Sequence, residues 1–334
     1  MTTTFAVLGA GRIGQVHGRA VASVPGATLV AVADALPEAA RALAGAHGAK
    51  VRSMQEIVAA DDIDAVIICT PTDTHADLIE TFARAGKAVF CEKPVDLDVA
   101  RARRVIEVIE ETGTPLMVGF QRRFDPDFRA LRAEIDAGTI GAVEMVTLTS
   151  RDPGPPPLDY IARSGGIFRD MTIHDFDVAR WMLGEEVETV MAAASNLVDP
   201  GIGGAGDWDS VNVILRTATG KQATITNSRR ASYGYDQRIE VHGSKGSVAA
   251  ENTHRARITV ATGAGYTRPP LLDFFMSRYT EAYAAEIAAF VAALTDGTPM
   301  PTTGHDGLMA LALAEAAVRS VAEGRAVAVA EVLG

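Results

Sequence analysis

Residues Gly9-Ala10-Gly11-Arg12-Ile13-Gly14 confine the start of this chain to one local geometry. The apolar run 5–8 precedes them and a helical stretch over 13–23 follows, so the glycines stand at a strand-to-helix turn. In a G-x-G-x-x-G turn the first glycine permits the tight bend, the second lets backbone approach a pyrophosphate, and the third allows close helix–strand packing. The helix N-terminus then faces the anion. An ordinary glycine-rich turn would spell the same letters, so a second residue has to discriminate. Asp34 does so: it ends the second apolar run, twenty residues beyond Gly14, where an acid can accept hydrogen bonds from the adenosine ribose hydroxyls. A carboxylate there repels a 2′-phosphate, and no arginine follows in Ala35-Leu36-Pro37, so NAD is expected over NADP.

The rest of the first third agrees with such a turn. Apolar runs at 5–8, 28–33, 65–69, 88–91 and 116–118 alternate with helical stretches at 13–23, 37–46, 74–85 and 98–111. Uninterrupted apolar strands belong to a sheet covered on both faces. The alternation therefore predicts an α/β fold with a doubly wound parallel (Rossmann) sheet, its ligand at the carboxyl ends of the strands. Beyond residue 120 the pattern changes to longer strands at 142–150, 187–197, 210–217, 222–228, 238–242 and 257–261, several alternating apolar and polar residues. With 334 residues, two domains are expected: a dinucleotide-binding domain over 1–120 and an α+β domain over 121–334. The second would have an open, mainly antiparallel sheet, one face covered by the helix after Gly166 and the other solvated or buried in an oligomer.

Composition narrows the partners. A net charge of −11 argues against nucleic acid and anionic membranes, both of which would repel it. The most apolar helical stretches are interrupted by Glu286 and Glu315, so no membrane span is expected, and no basic leader precedes the first strand. Cys69 and Cys91 each end an apolar run and read as reduced core thiols of a cytoplasmic protein. No grouping of His, Cys, Asp and Glu has metal-ligand spacing.

Four further constellations bear on chemistry. Thr70, Pro71, Thr72 and His75 follow one strand end and Glu92-Lys93-Pro94 another, both beside the expected cofactor. His75 is read as part of the cofactor loop. Lys93 is either a solvated loop charge or a fixed donor that stabilises a developing alkoxide. In Gly165-Gly166-Ile167-Phe168-Arg169-Asp170-Met171-Thr172-Ile173-His174 an acid and an imidazole stand four residues apart, one helical turn from each other. A carboxylate that orients a histidine suits general-base chemistry near neutral pH. The same letters also fit a helix start with a core histidine. Tyr233 and Tyr235 are either strand aromatics or, through their phenols, donors and acceptors for a polyol.

Taken together, Gly-Ala-Gly-Arg-Ile-Gly, Thr-Pro-x-x-x-His, Glu-Lys-Pro and Gly-Gly-x-x-x-Asp-x-x-x-His resemble the glucose–fructose oxidoreductase/inositol dehydrogenase family over nearly the whole chain, most of all its myo-inositol-oxidising branch. The resemblance implies NAD-dependent oxidation of a cyclic polyol, myo-inositol to its 2-keto product. It implies a catalytic group of Lys93, Asp170 and His174, and a cofactor site drawing on Gly9, Gly11, Arg12, Ile13, Gly14, Asp34, Thr70, Pro71, Thr72, His75, Glu92 and Lys93. It places Gln121, Arg122, Tyr233 and Tyr235 at the polyol pocket, a cis peptide bond before Pro94, and a homotetramer assembled through open sheets. Another inositol isomer or an aldose remains an alternative substrate, because the motifs do not fix the wall around Gln121, Arg151 and Asp152. A silent NAD-binding sensor is the alternative from another class. Replacing Asp34 with Ser is expected to narrow the preference for NAD over NADP; an unchanged NAD/NADP ratio of kcat/KM would remove Asp34 from that role.

Overall fold

Short strands with no polar side to offer must be buried on both faces, and a six-stranded parallel sheet gives five of its strands that cover, all but a two-residue edge strand. In the computed structural model, which describes residues 2–334, the six are β1 (Thr3–Leu8), β2 (Ala27–Ala33), β3 (Lys50–Val51), β4 (Ala65–Ile68), β5 (Ala88–Glu92) and β6 (Leu116–Gly119). Their order is β3-β2-β1-β4-β5-β6, so the winding reverses between β1 and β4. The turn after β1 and the loop after β4 thus flank the switch point where such sheets take ligands. Helices Arg12–Ser23, Pro37–His47, His75–Arg84 and Val99–Thr112 lie within a residue of the expected stretches. The two-residue edge strand β3 is exposed and carries no apolar run that sequence could flag.

This unit comprises the residues up to Asp125 together with Thr280–Leu311. The expected cut after residue 120 falls near the first crossing, at Asp125/Pro126, while the return of 280–311 has no counterpart in that reading. The returning helix Thr280–Asp296 buries Phe290 against Phe5 and Phe90, with ring centroids 6.1 and 5.8 Å away. Behind it, Thr302 accepts from the Val118 amide through its carbonyl and donates its hydroxyl to the Val118 carbonyl at 2.6 Å, so the segment joins β6 as well.

The second unit comprises Pro126–Tyr279 and Ala312–Gly334. Its strands are β7 (Val143–Arg151), β8 (Val187–Ser195), β9 (Ser210–Thr217), β10 (Gln222–Ser228), β11 (Asp236–Gly243) and β12 (Gly246–Ala250). Two more, β13 (Val260–Thr262) and β14 (Gly265–Thr267), form a separate hairpin, and β15 (Val327–Ala328) closes the edge. The main sheet runs β12-β11-β7-β10-β9-β8-β15. Only β7 and β10 pair in parallel in this mostly antiparallel sheet. Along β9, Val211, Val213, Leu215 and Thr217 point inward and the residues between them do not, the period of two expected of a half-buried strand. Helix Ile173–Leu183 packs on β7 and β10 and covers that inner face.

One expected strand needs correction. The stretch 257–261 is not a sheet strand: only Val260–Thr262 is extended, and it pairs with Gly265–Thr267 alone. Every residue of both short strands is exposed, so the hairpin has no face to bury against the sheet. The other face of the main sheet stays open and presents Met145, Met191 and Ile214 to solvent. Among the described residues no helix is long and apolar enough to cross a membrane.

Candidate active site

Sterics assign each motif glycine a separate reason in the first unit. Gly9 has φ +93°, and a Cβ there would lie 2.6 Å from the Cys69 carbonyl oxygen at the end of β4. A Cβ on Gly14 would lie 2.0 Å from the Gly9 carbonyl oxygen, so only glycine lets the helix approach the strand this closely. Gly11 differs: a Cβ there would meet no protein atom within 4 Å. The fold does not need a glycine at 11, whereas a backbone that must admit a pyrophosphate does. Gly11 is also the N-cap of helix Arg12–Ser23 and provides no side-chain cap, leaving the first amides of the helix to a ligand. Asp34 binds the same turn, accepting from the amides of Ala10 at 2.5 Å and Leu36 at 2.7 Å. The turn, its open edge and the acid fit an NAD molecule. Arg12 is exposed beside it and Ile13 half-buried.

The loops after β4 and β5 are tied together by His75. Its buried ring faces the carbonyl oxygen of Pro94 at 2.7 Å through Nδ1 and that of Thr70 at 2.9 Å through Nε2. Thr70 in turn shares a hydroxyl hydrogen bond with Thr74. Pro71 is exposed and Thr72 half-buried on the same loop. The Lys93–Pro94 bond is cis, and Lys93 is half-buried at the end of β5. Immediately behind it, Glu92 is buried and faces His17 Nε2 at 2.7 Å, with the His17 ring edge-on to Phe90 and Tyr283. Sequence alone assigned His17 nothing; its spacing from Gly14 carries no mark of a partner 75 residues away. Gln121 and Arg122 are both buried, in the one-turn 3₁₀ segment Gln121–Phe124 after β6. Burial pushes the Cys69 and Cys91 thiols well above their ordinary range, as suits inert core residues.

In the second unit Gly165 and Gly166 both have positive φ, +83° and +84°, and lead into a π-helical turn, Phe168–Thr172, that continues as helix Ile173–Leu183. Wide turns of this kind are rare and concentrate at functional sites. Asp170 lies in the π turn and His174 just past its junction with the α-helix, both half-buried. Asp170 accepts from the Tyr160 hydroxyl at 2.9 Å and ion-pairs with Arg229 at 3.6 Å. The neighbours of His174 are fixed to the sheet. Asp175 accepts from Ser150 Oγ of β7 at 2.6 Å and from Asn227 Nδ2 of β10 at 2.9 Å, and the Thr172 hydroxyl donates to Asn227 Oδ1 at 2.6 Å. Ser150 and Asn227 are direct partners in the parallel register, which is why one carboxylate reaches both.

The two tyrosines differ. Tyr233 donates to Asp236 at 2.6 Å and receives Arg151 at 2.9 Å; burial and then the Asp236 carboxylate raise its pKa, against the pull of Arg151. Tyr235 is buried, its ring edge-on to Phe274 and Tyr279 at 5.9 and 6.1 Å. Burial alone would raise the Asp236 carboxyl, but hydrogen bonds from Arg238, Tyr233 and Asn252 outweigh it and hold the group below its usual range.

Comparison with known proteins accords with these features. Residues 3–120 match the model of an oxidoreductase family with an NAD-binding Rossmann fold, and residues 128–249 match the GFO/IDH/MocA C-terminal domain. An inositol 2-dehydrogenase of Rhizobium meliloti is 67% identical over 99% of this chain and 100% of its own length. A myo-inositol 2-dehydrogenase of Thermotoga maritima is 44% identical over 98% and 99%. A crystal structure of scyllo-inositol dehydrogenase from Lactobacillus casei, with bound NAD(H) and scyllo-inositol, superposes with a TM-score of 0.91 at 30% identity, covering 99% of this chain and 100% of that one.

Gly11→Ala separates cofactor fit from folding. Because the added methyl meets no protein atom, the melting temperature should stay near wild type. A methyl forced into a filled contact costs about 1–3 kcal/mol, so NAD affinity measured by calorimetry should fall roughly ten- to hundredfold. Gly14→Ala should instead lose stability; equal behaviour of the two variants would contradict this division.

Proposed function

Because the chain belongs to the GFO/IDH/MocA oxidoreductase family, with its NAD-binding Rossmann domain, we propose that it oxidises a ring hydroxyl of inositol, myo-inositol at carbon 2 to the 2-keto product. The observation that carries the substrate is the full-length likeness to inositol 2-dehydrogenases.

Bound NAD supplies the hydride acceptor. His174 takes the hydroxyl proton, a role suited to an imidazole near neutral pH. Asp170 orients and charge-stabilises the imidazolium. Lys93 donates to the substrate oxygen and stabilises it as the proton leaves. Gln121, Arg122, Tyr233 and Tyr235 border the polyol. Tyr233 has the better support of the two tyrosines, since its phenol is half-exposed and polarised by Asp236 and Arg151, while the ring of Tyr235 serves packing. The apolar side chains on the open sheet face support assembly as a homotetramer, and the buried thiols of Cys69 and Cys91 accord with work in the cytoplasm.

Initial rates of NAD reduction over a panel of inositols and aldoses test the substrate. The largest kcat/KM is expected for myo-inositol, and an aldose preferred over every inositol would overturn it. A positioned base contributes about 10²–10⁴ in rate, so His174→Ala should lower kcat by that factor with NAD affinity little changed. Near wild-type kcat would remove His174 from the chemistry.

A further inference from the structure

Arg229 is among the largest fully buried side chains of the described residues, 1% exposed, just past the end of β10. Its Nη1 lies 3.6 Å from Asp170 Oδ2 and its Nη2 3.3 Å from Asp207 Oδ2, so one guanidinium spans two carboxylates. Its backbone amide donates to the Asp209 carbonyl at 2.8 Å, which fixes the main chain from which the side chain departs. Asp207 is not a bystander, since its other oxygen accepts from the Ile167 amide at 2.8 Å, at the entry to the helical run that bears Asp170. A Cβ on Gly166 would lie 2.8 Å from that same oxygen, so the glycine turn is shaped around the acid. A buried arginine is costly unless paired, and a planar fork suits a bridge between two acids better than an ammonium does.

We infer that Arg229 is a positioning residue for the oxidation: it ties Asp170 to Asp207, so that the direction of the Asp170 carboxylate and the entry of its helix are set by one cation. The inference rests on the proposed role of Asp170. Tyr160 donates to Asp170 Oδ1 and Arg229 faces Oδ2, so the two side chains address different oxygens of the carboxylate.

A double-mutant cycle tests it, using Arg229→Met and Asp170→Asn singly and together, with Arg229→Lys as the conservative variant. A misplacement of about 1 Å can cost 10²-fold, so Arg229→Met should lower kcat for inositol roughly ten- to hundredfold while NADH affinity stays within about twofold. Arg229→Lys should recover part of the loss. In the Asp170→Asn background the same change should cost little, because the group it positions is already gone. A readout free of turnover accompanies this: Asp170→Asn should raise the melting temperature of Arg229→Met by removing a carboxylate left without its cation. Equal kcat losses from Arg229→Met with and without Asp170, or no loss at all, would overturn the inference. If Arg229→Met does not fold, the cycle is run with Arg229→Lys and read in the same way. A normal kcat for Asp170→Asn alone would instead sink the proposed catalytic group, whatever the cycle shows.

Discussion

The Asp175 carboxylate, held between Ser150 and Asn227, fixes everything that follows from the second glycine turn. A fully buried acid is tolerated only when its oxygens are satisfied, and here two neighbouring strands satisfy them. Because β7 and β10 pair in parallel with Asn227 opposite Ser150, the donors stand side by side and face the helix. Register in the sheet thereby sets the height and rotation of Ile173–Leu183, and with them the place of His174. A slip of one residue in this register would turn one donor to the open face. Asp209 anchors the 197–199 loop of the same unit: burial would raise its carboxyl, but the amides of Asp199, Leu197 and Val198 outweigh that and hold it low. Its negative charge is therefore part of the fold above the ordinary carboxylate range, and is lost as acid protonates it.

The first unit solves a different problem with the same economy. Gly14 brings a helix against a strand and Gly9 brings β1 against the end of β4, so the switch-point edge is built from backbone in close contact. His75 then joins the loops after β4 and β5 by two carbonyl contacts, and Glu92 meets His17 behind Lys93. Lysine at that position has a scaffold beneath it rather than a free loop.

Much of this was legible in the sequence, for reasons that differ by element. The glycine turn, Asp34 and the apolar runs of β1, β2, β4, β5 and β6 announce themselves because parallel strands buried on both faces leave no polar letters. The alternation in β9 and β10 was visible for the opposite reason, one face being wet. The two-residue strands β3 and β15 escaped, since a pair of residues has no periodicity. The stretch 257–261 misled because its β-prone letters pair only within a small exposed hairpin. The return of 280–311 to the first unit depends on which core Phe290 fills, a tertiary choice that helical spacing cannot express. Of the candidate site, the four-residue spacing of Asp170 and His174 is readable in the sequence, but the π turn that holds Asp170 is not. Asp175, Asn227 and Arg229 were invisible for a common reason: each acts through a partner distant in sequence, and only the fold brings the two within hydrogen-bonding or ion-pairing reach.

The account stands on the imidazole of His174 serving as the base for a ring hydroxyl. The most direct test is a crystal structure of the protein with NAD and myo-inositol bound. It should show a His174 ring nitrogen within about 2.6–3.2 Å of one hydroxyl oxygen, with the carbon bearing that hydroxyl about 3–3.5 Å from the nicotinamide carbon that accepts hydride. A ternary complex that seats the reacting hydroxyl beyond direct or single-water reach of His174 would contradict it.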